Sequence, residues 1–354
     1  MNLTGKLLKF IGSPFTQDCK ENYIPDAYEF AQKNKIGLFY LEKLKECGKL
    51  SESDPLYKEN IVRYMETLKT VIRISKVLNE LTEEYVIFKF FKPFPHTPSD
   101  VDVLFFCSEN KYRWIIEQLL NRGYYKIGEA PNQVVVYDLR GGYENIDKRT
   151  VGGKQGGKYY IDLYKEVSAS YIIYLDKDKL KNYVTEIRIE NEKVKVLKPE
   201  AELAVVLTHS IIPELLFTLA DYYTTLYYLK NMNRKEISSF TSIFRENNIL
   251  TAAQASLSII KRLHQEFCGF VPEKIEMVVN ELGENESEIN NLVKNNFTMP
   301  YHYKTSTLIR VLFERMKNST GRKSIMKQII YMSNPRLANW VIKNIIWRKT
   351  RETY

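Results

Sequence analysis

Three acidic residues in this chain are spaced for metal-assisted chemistry. The run Pro98-Ser99-Asp100-Val101-Asp102-Val103-Leu104-Phe105-Phe106 reads as a strand, β-branched and aromatic after a Pro-Ser start. Side chains alternate across a strand, so Asp100 and Asp102 share one face and Val101 and Val103 the other. Two carboxylates so placed repel each other unless water or a cation lies between them. A hard divalent cation such as Mg²⁺ takes oxygen ligands, and this pair supplies two. A second strand-like run, Tyr159-Tyr160-Ile161-Asp162-Leu163-Tyr164, carries one acid among apolar residues. Two carboxylates on one strand and a third on a neighbour form the minimum set for two-metal phosphoryl or nucleotidyl transfer. The plainer alternative is a solvated strand end with two exposed acids and an edge-strand acid.

The elements around these residues can be read in order. Residues before about 80 have apolar positions at helical spacing, as in Leu38-Phe39-Tyr40-Leu41. Asp54-Pro55 reads as an N-cap followed by Pro at the first helical position, opening a helix through Ile74 to Leu81. Tyr85 to Phe91 reads as a strand, and the three prolines of Lys92-Pro93-Phe94-Pro95-His96-Thr97-Pro98 impose a loop. Lys111 to Leu120 is an amphipathic helix that Gly123 ends. Gln133 to Leu139 is a strand, six glycines between Gly141 and Gly157 mark a loop, and residues 186–197 form a hairpin across Asn191. From Pro199 on, the pattern is helical, with Pro213–Lys230 as one helix. The expected fold is α+β: a small mixed β-sheet core at 81–200, an N-terminal helical region at 1–80 and a C-terminal helical domain at 201–354.

Composition excludes several classes. With 44% hydrophobic and 27% charged residues over 354 positions, the chain has a globular composition. Its four cysteines (Cys19, Cys47, Cys107, Cys268) lie far apart, which argues against a zinc or disulfide framework and suits a reducing cytoplasm. No signal peptide or membrane span is expected. The net charge of +9 is concentrated: from Pro300 to Tyr354 there are 12 Lys/Arg against 2 Asp/Glu. There Arg310, Arg315, Lys317, Arg322, Lys323, Lys327, Arg348, Lys349 and Arg351 mix with Tyr301, Tyr303, Tyr331, Trp340 and Trp347. Basic groups track phosphates and aromatic rings stack on bases, so RNA or single-stranded DNA is a candidate partner. A solvated helical face, an acidic protein and an anionic membrane surface are the alternatives.

The spacing of Ser99-Asp100-Val101-Asp102 and Ile161-Asp162-Leu163 resembles the nucleotidyltransferase superfamily of the DNA polymerase β type. Within it the chain is most similar to a group of largely uncharacterised prokaryotic nucleotidyltransferases. The matching features are Phe88-Lys89, the Asp-x-Asp strand, Gly123-Tyr124, the Ile-Asp-Leu strand, and Leu197-Lys198-Pro199-Glu200 followed by His209. They span about 81–230. The resemblance implies Asp100, Asp102 and Asp162 as catalytic and metal-binding residues, Mg²⁺ or Mn²⁺ as cofactor, and a nucleoside triphosphate such as ATP as substrate. It further implies transfer of a nucleoside monophosphate to an acceptor hydroxyl. The superfamily's Gly-Ser pair before the Asp strand is absent; Lys89 and Lys92, with Ser99, stand in its place as candidate phosphate ligands. That departure keeps a second class open: an idle nucleotidyltransferase-like module binding nucleic acid or protein through the basic end. A toxin-type transferase acting on tRNA or protein is a third.

Several other residues have simpler readings. Gly152–Tyr159 nearly spells a P-loop, but Tyr159 replaces the required Ser or Thr and a strand follows instead of a helix. His209 is expected in a helical core, His96 in a plain loop, and Asp221-Tyr222-Tyr223 either facing a cleft or packed.

Overall fold

The computed structural model describes residues 2–16, 27–138, 159–283 and 298–334. The chain opens with helices α1 (Leu3–Ile11), α2 (Tyr28–Lys33), α3 (Gly37–Glu46) and the long α4 (Pro55–Leu81). Then come β1 (Tyr85–Phe88), β2 (Asp100–Phe105), α5 (Glu109–Asn121), β3 (Tyr124–Ala130), β4 (Gln133–Asp138) and β5 (Tyr160–Tyr164). A short hairpin, β6 (Val167–Ala169) and β7 (Ile172–Leu175), leads to α6 (Lys177–Leu180), β8 (Val184–Ile189) and β9 (Glu192–Leu197). The remaining described residues are helical apart from two short strands: α7 (Pro199–Ile211), β10 (Leu216–Phe217), α8 (Leu219–Asn231), α9 (Arg234–Glu246), α10 (Leu250–Cys268), α11 (Glu273–Glu281), β11 (Tyr301–His302), α12 (Thr305–Arg315) and α13 (Ser319–Met332).

The architecture is α+β with a mixed sheet. It falls into two compact units: residues 59–91 with 97–198, and residues 1–58 with 92–96 and 199–353. The expected three-part division at 80 and 200 therefore differs from what is seen. The N-terminal helices belong with the C-terminal ones, and the first boundary falls inside α4. Among the described residues no helix is long and apolar enough to cross a membrane.

The first unit is built on a seven-stranded sheet ordered β3-β4-β5-β2-β1-β9-β8. The β2–β5 and β1–β9 pairs are parallel and the others antiparallel. One face carries the hydrophobic core: Val101, Val103, Ile161, Leu163, Val134 and Val136 meet Val71, Ile74 and Leu78 of α4 and Ile115 and Leu119 of α5. The α4 residues recur every three or four positions, which is why a helix can present all of them to the sheet. The Asp54 carboxylate accepts hydrogen bonds from the N–H groups of Leu56 and Tyr57 at 2.9 and 3.3 Å, the cap anticipated before Pro55. The helix α5 starts at Ser108, whose side chain accepts from Lys111 N–H, and stops before Gly123, whose φ of 90° is left-handed.

Two features of this unit depart from the expectation. The sheet is larger than foreseen, because β3 has almost no apolar alternation. It is a mostly exposed edge strand with a register shift between Lys126 and Gly128. In addition β1 stops at Phe88 although apolar residues continue to Phe91, since Lys89 turns the chain with φ of 58°.

The helical unit contains a second correction. In place of one helix over 213–230 there is β10 and then α8, because Leu215 takes φ of 50° and a Thr218–Asp221 capping box starts the helix afresh. Two residues of α12 hold it to α10 and its flank. The Glu314 carboxylate accepts from the N–H groups of Leu250 and Thr251 at 2.9 and 2.8 Å, satisfying donors at the start of α10. Arg315 is fully buried and donates to Asn247 O at 2.7 Å, so it is structural and is not part of a basic surface. Gly321 makes room for it: a Cβ there would lie 2.4 Å from Arg315 O.

Gly321→Ala is therefore expected to destabilise the protein by about 2 kcal/mol, the scale of overpacking a close contact. Equilibrium urea unfolding checks this; an unchanged midpoint would contradict the packing described.

Candidate active site

The site is made by strand register. In β2 the core takes Val101 and Val103, so Asp100 and Asp102 face away from α4 and α5. The parallel neighbour β5 sets Asp102 opposite Asp162, Asp100 opposite Tyr160 and Leu104 opposite Tyr164. Partners in a parallel pair point to the same face, so Asp100, Asp102, Asp162 and Tyr164 share it. On the other side β1 runs antiparallel, with Phe88 opposite Asp102. Lys89 comes next in the chain.

Lys89 decides the electrostatics. Its Nζ lies 3.0 Å from Asp102 Oδ2, and the two side chains are only 11% and 10% exposed. The ammonium also sits 4.9 Å from the centre of the Phe88 ring and 5.2 Å from that of Tyr164. A left-handed φ of 58° is uncommon for a residue with a Cβ, and such conformations persist only where the surroundings hold them. Ser99 Oγ donates to Asp100 Oδ1 at 3.1 Å and so fixes the outer carboxylate.

The ionisation behaviour follows from burial and charge. Burial pushes the Asp102 carboxyl up to about 6, and the Asp100 charge adds to this; Lys89 and a hydrogen bond from Tyr164 pull the other way. For Lys89, burial works to lower the pKa, but the fields of Asp102, Tyr174 and Asp100 outweigh it and keep the ammonium above its ordinary value. The Tyr164 hydroxyl is held well above its ordinary range by burial and then by Asp102 and Asp162. The arrangement at neutral pH is thus an ion pair within a sheltered cluster of carboxylates and phenols.

The structure brings together Lys89, Ser99, Asp100, Asp102 and Asp162. Lys92 lies in the 92–96 segment, which belongs to the other compact unit. Asp221 caps its own helix, accepting from Thr218 N–H at 2.8 Å, which removes it as a cleft residue. His209 is not a core histidine: it is 26% exposed, with Nε2 3.6 Å from Glu214 Oε1. Two other histidines are buried: His96, in the proline-rich loop, and His264, between Ser13 Oγ at 2.8 Å and Phe270 O at 2.7 Å. The glycine-rich stretch 141–157, Trp340, Trp347, Arg348, Lys349 and Arg351 lie outside the described residues. The sequence reading missed Tyr164 and Tyr174. Tyr164 was findable, two residues beyond Asp162 and hence on its face; nothing local marks Tyr174.

The donor set suits a hard cation in its chemistry, three carboxylates on one face. In the described arrangement, however, no three His, Cys, Asp or Glu side chains among the described residues are grouped as a cation requires. The positive charge beside Asp102 is the Lys89 ammonium. As described, the residues do not form a metal site.

No family model matches the chain, and no curated protein matches it. Among solved structures, it is similar to an antigenic nucleotidyltransferase-like protein from Paracoccidioides brasiliensis. That match has 15% identity and a TM-score of 0.33, and covers 54% of this chain and 91% of that one. It is also similar to the Megavirus polyadenylate synthase, at 12% identity and a TM-score of 0.23, over 77% of this chain and 58% of that one. Function is therefore read from the residues of the site.

Lys89→Met removes the group that lowers the Asp102 pKa, so the Asp102 titration midpoint should rise above about 6. Carboxyl-carbon NMR checks this, and a midpoint near 4 in the wild type would contradict the buried pair. Leaving a buried carboxylate without its partner should cost about 3 kcal/mol of stability at pH 8. The loss should shrink toward pH 5, where a carboxyl with a raised pKa is neutral in the folded state.

Proposed function

We propose that the chain is a metal-dependent nucleotidyltransferase. It would transfer a nucleoside monophosphate from a nucleoside triphosphate to an acceptor hydroxyl. The observation that carries this reading is the Asp102–Asp162 register across two parallel strands, with Asp100 two residues away on the same face. The nucleotidyltransferase resemblance of the Asp-x-Asp and Ile-Asp-Leu strands agrees with that placement.

The roles follow from position. Asp100, Asp102 and Asp162 would hold Mg²⁺ or Mn²⁺. Such a cation, when bound, neutralises phosphate charge and lowers the pKa of a hydroxyl beside it. Asp162 would take the acceptor proton. The acceptor oxygen would bond to the α-phosphorus as the bond to the bridging oxygen breaks, and pyrophosphate would leave. Lys89 supplies positive charge to the phosphates, and Ser99 keeps Asp100 oriented. The acceptor, which the residues do not name, belongs to the class of hydroxyl compounds, nucleic acid ends included.

A second reading is favoured by a separate observation. On α12 and α13, Phe313 and Ile330 are 66% and 68% exposed, and Arg310, Lys323 and Lys327 are exposed on the same helices, with Lys317 exposed in the turn between them. A catalytically idle module could bind nucleic acid or an acidic protein there, with the Lys89–Asp102 pair serving structure alone.

Calorimetry with each of the four nucleoside triphosphates, in Mg²⁺, Mn²⁺ or EDTA, separates the two. The enzyme reading predicts metal-dependent binding of at least one nucleotide, weakened at least about tenfold, or 1.4 kcal/mol, in Asp100→Ala/Asp102→Ala. The absence of binding with either metal would sink it. If the double variant still binds single-stranded RNA with an undiminished, steep salt dependence, the second reading gains.

A further inference from the structure

The sheet face that carries Asp100 also carries a row of tyrosines. Asp100 on β2 is paired with Tyr160 on β5, Tyr160 with Tyr137 on β4, and Tyr137 with Tyr125 on β3. Residues paired across strands point to the same face. The four therefore form one line across the sheet, on the side opposite the core that packs on α4 and α5. We propose that Tyr125 and Tyr137 stack the bases of a single-stranded nucleic acid, which runs along this line toward the carboxylates. The binding is argued from the sheet alone. That the bound strand is the acceptor rests on the nucleotidyltransferase reading, to which it adds the class of acceptor.

Three observations support it. First, the outer ring is offered to solvent. Tyr125 is 55% exposed, although its ring lies 5.3 Å from that of Tyr137 at an interplanar angle of 47°. A cross-strand aromatic pair steadies a hairpin, but that accounts only for the surface the pair covers. More than half of Tyr125 is left to meet a planar ligand. Second, the rings stand on adjacent strands in register. A sheet face with aromatics so placed lets successive unstacked bases lie on it, the mode by which small sheet domains stack two or three bases of RNA. Neighbouring strands are about 4.8 Å apart, so the line from Asp100 to Tyr125 crosses three gaps and is about 14 Å long. A strand lying on two rings has that distance in which to reach the carboxylates. Third, the charge at the inner end favours contact through bases. Asp100, Asp102 and Asp162 stand there with the single ammonium of Lys89. Such a surface does not attract phosphates, whereas stacking on a neutral ring needs no charge and tolerates any base.

The test is fluorescence polarisation of the full chain with labelled short strands of adenylate, uridylate or thymidylate, and with an abasic strand of equal length. Wild type should bind at least one base-bearing strand, and the abasic strand at least about fivefold more weakly, the scale of one stacked base. Tyr125→Leu removes the ring and keeps an apolar side chain; it should lose about the same factor, while Tyr125→Phe retains wild-type binding. The loss should be alike at low and high salt. Lys323→Ala/Lys327→Ala should leave the preference for base-bearing strands intact, since any phosphate contact on those helices reads no base. Tyr125→Thr serves if circular dichroism shows that Tyr125→Leu does not fold. If no strand binds, if abasic and base-bearing strands bind alike, or if the ring-deleted variant binds as wild type does, the stacking row is overturned. A nucleoside monophosphate that competes as tightly as a strand would overturn it too, because one base would then fill the site. In each of these cases triphosphate calorimetry still decides the nucleotidyltransferase reading. If strands bind through Tyr125 but no triphosphate binds, the row stands and its acceptor role falls with that reading.

Discussion

A buried ammonium against a buried carboxylate is the interaction on which the rest of the site depends. Placing charges in a protein interior is costly unless they are paired, and the gain from pairing seldom exceeds the cost of desolvation. The pair of Lys89 and Asp102 is thus a poor device for stability alone. Replacing both by apolar side chains would serve a purely structural strand end at least as well. The pair also leaves Asp102 with a carboxyl pKa near 6 despite its lysine, because burial and Asp100 act against it. A group in that position responds strongly to any new charge brought beside it.

The scaffold explains why the pair forms. Core packing of Val101, Val103, Ile161 and Leu163 against α4 and α5 commits the alternate residues to the opposite face, and a one-residue slip would reverse both sets. The parallel β2–β5 register then aligns Asp102 with Asp162. The antiparallel β1 brings Phe88 alongside Asp102, and the left-handed turn at Lys89 delivers the ammonium. The site is held by rigid strands whose register is specified by the core.

Much of this was legible in the sequence, for identifiable reasons. Alternation along 100–103 has a period of two, so the shared face of Asp100 and Asp102 needed no tertiary information. Asp54-Pro55 and Gly123 are local signals, and both helix ends are as expected. What was not legible depended on distant partners. Nothing near Lys89 announces a positive φ; the apolar run through Phe91 argues for more strand. The edge strand β3 lacks the alternation that burial on one face would impose. Arg315 reads as one more charge in a basic tail, yet it is buried against Asn247, sixty-eight positions away along the chain. The placement of residues 1–58 with the C-terminal helices is likewise a long-range outcome. The shared face of Asp100 and Asp102 was therefore foreseen, and the counter-ion of Asp102 was not.

The most direct measurement is a crystal structure of the chain with Mn²⁺ and an α,β-methylene nucleoside triphosphate, located by the anomalous scattering of manganese. The account predicts manganese bonded to Asp102 and at least one of Asp100 and Asp162, with Lys89 Nζ on a phosphate oxygen. A bound nucleotide with Lys89 still paired to Asp102, and manganese absent or held elsewhere, would contradict it.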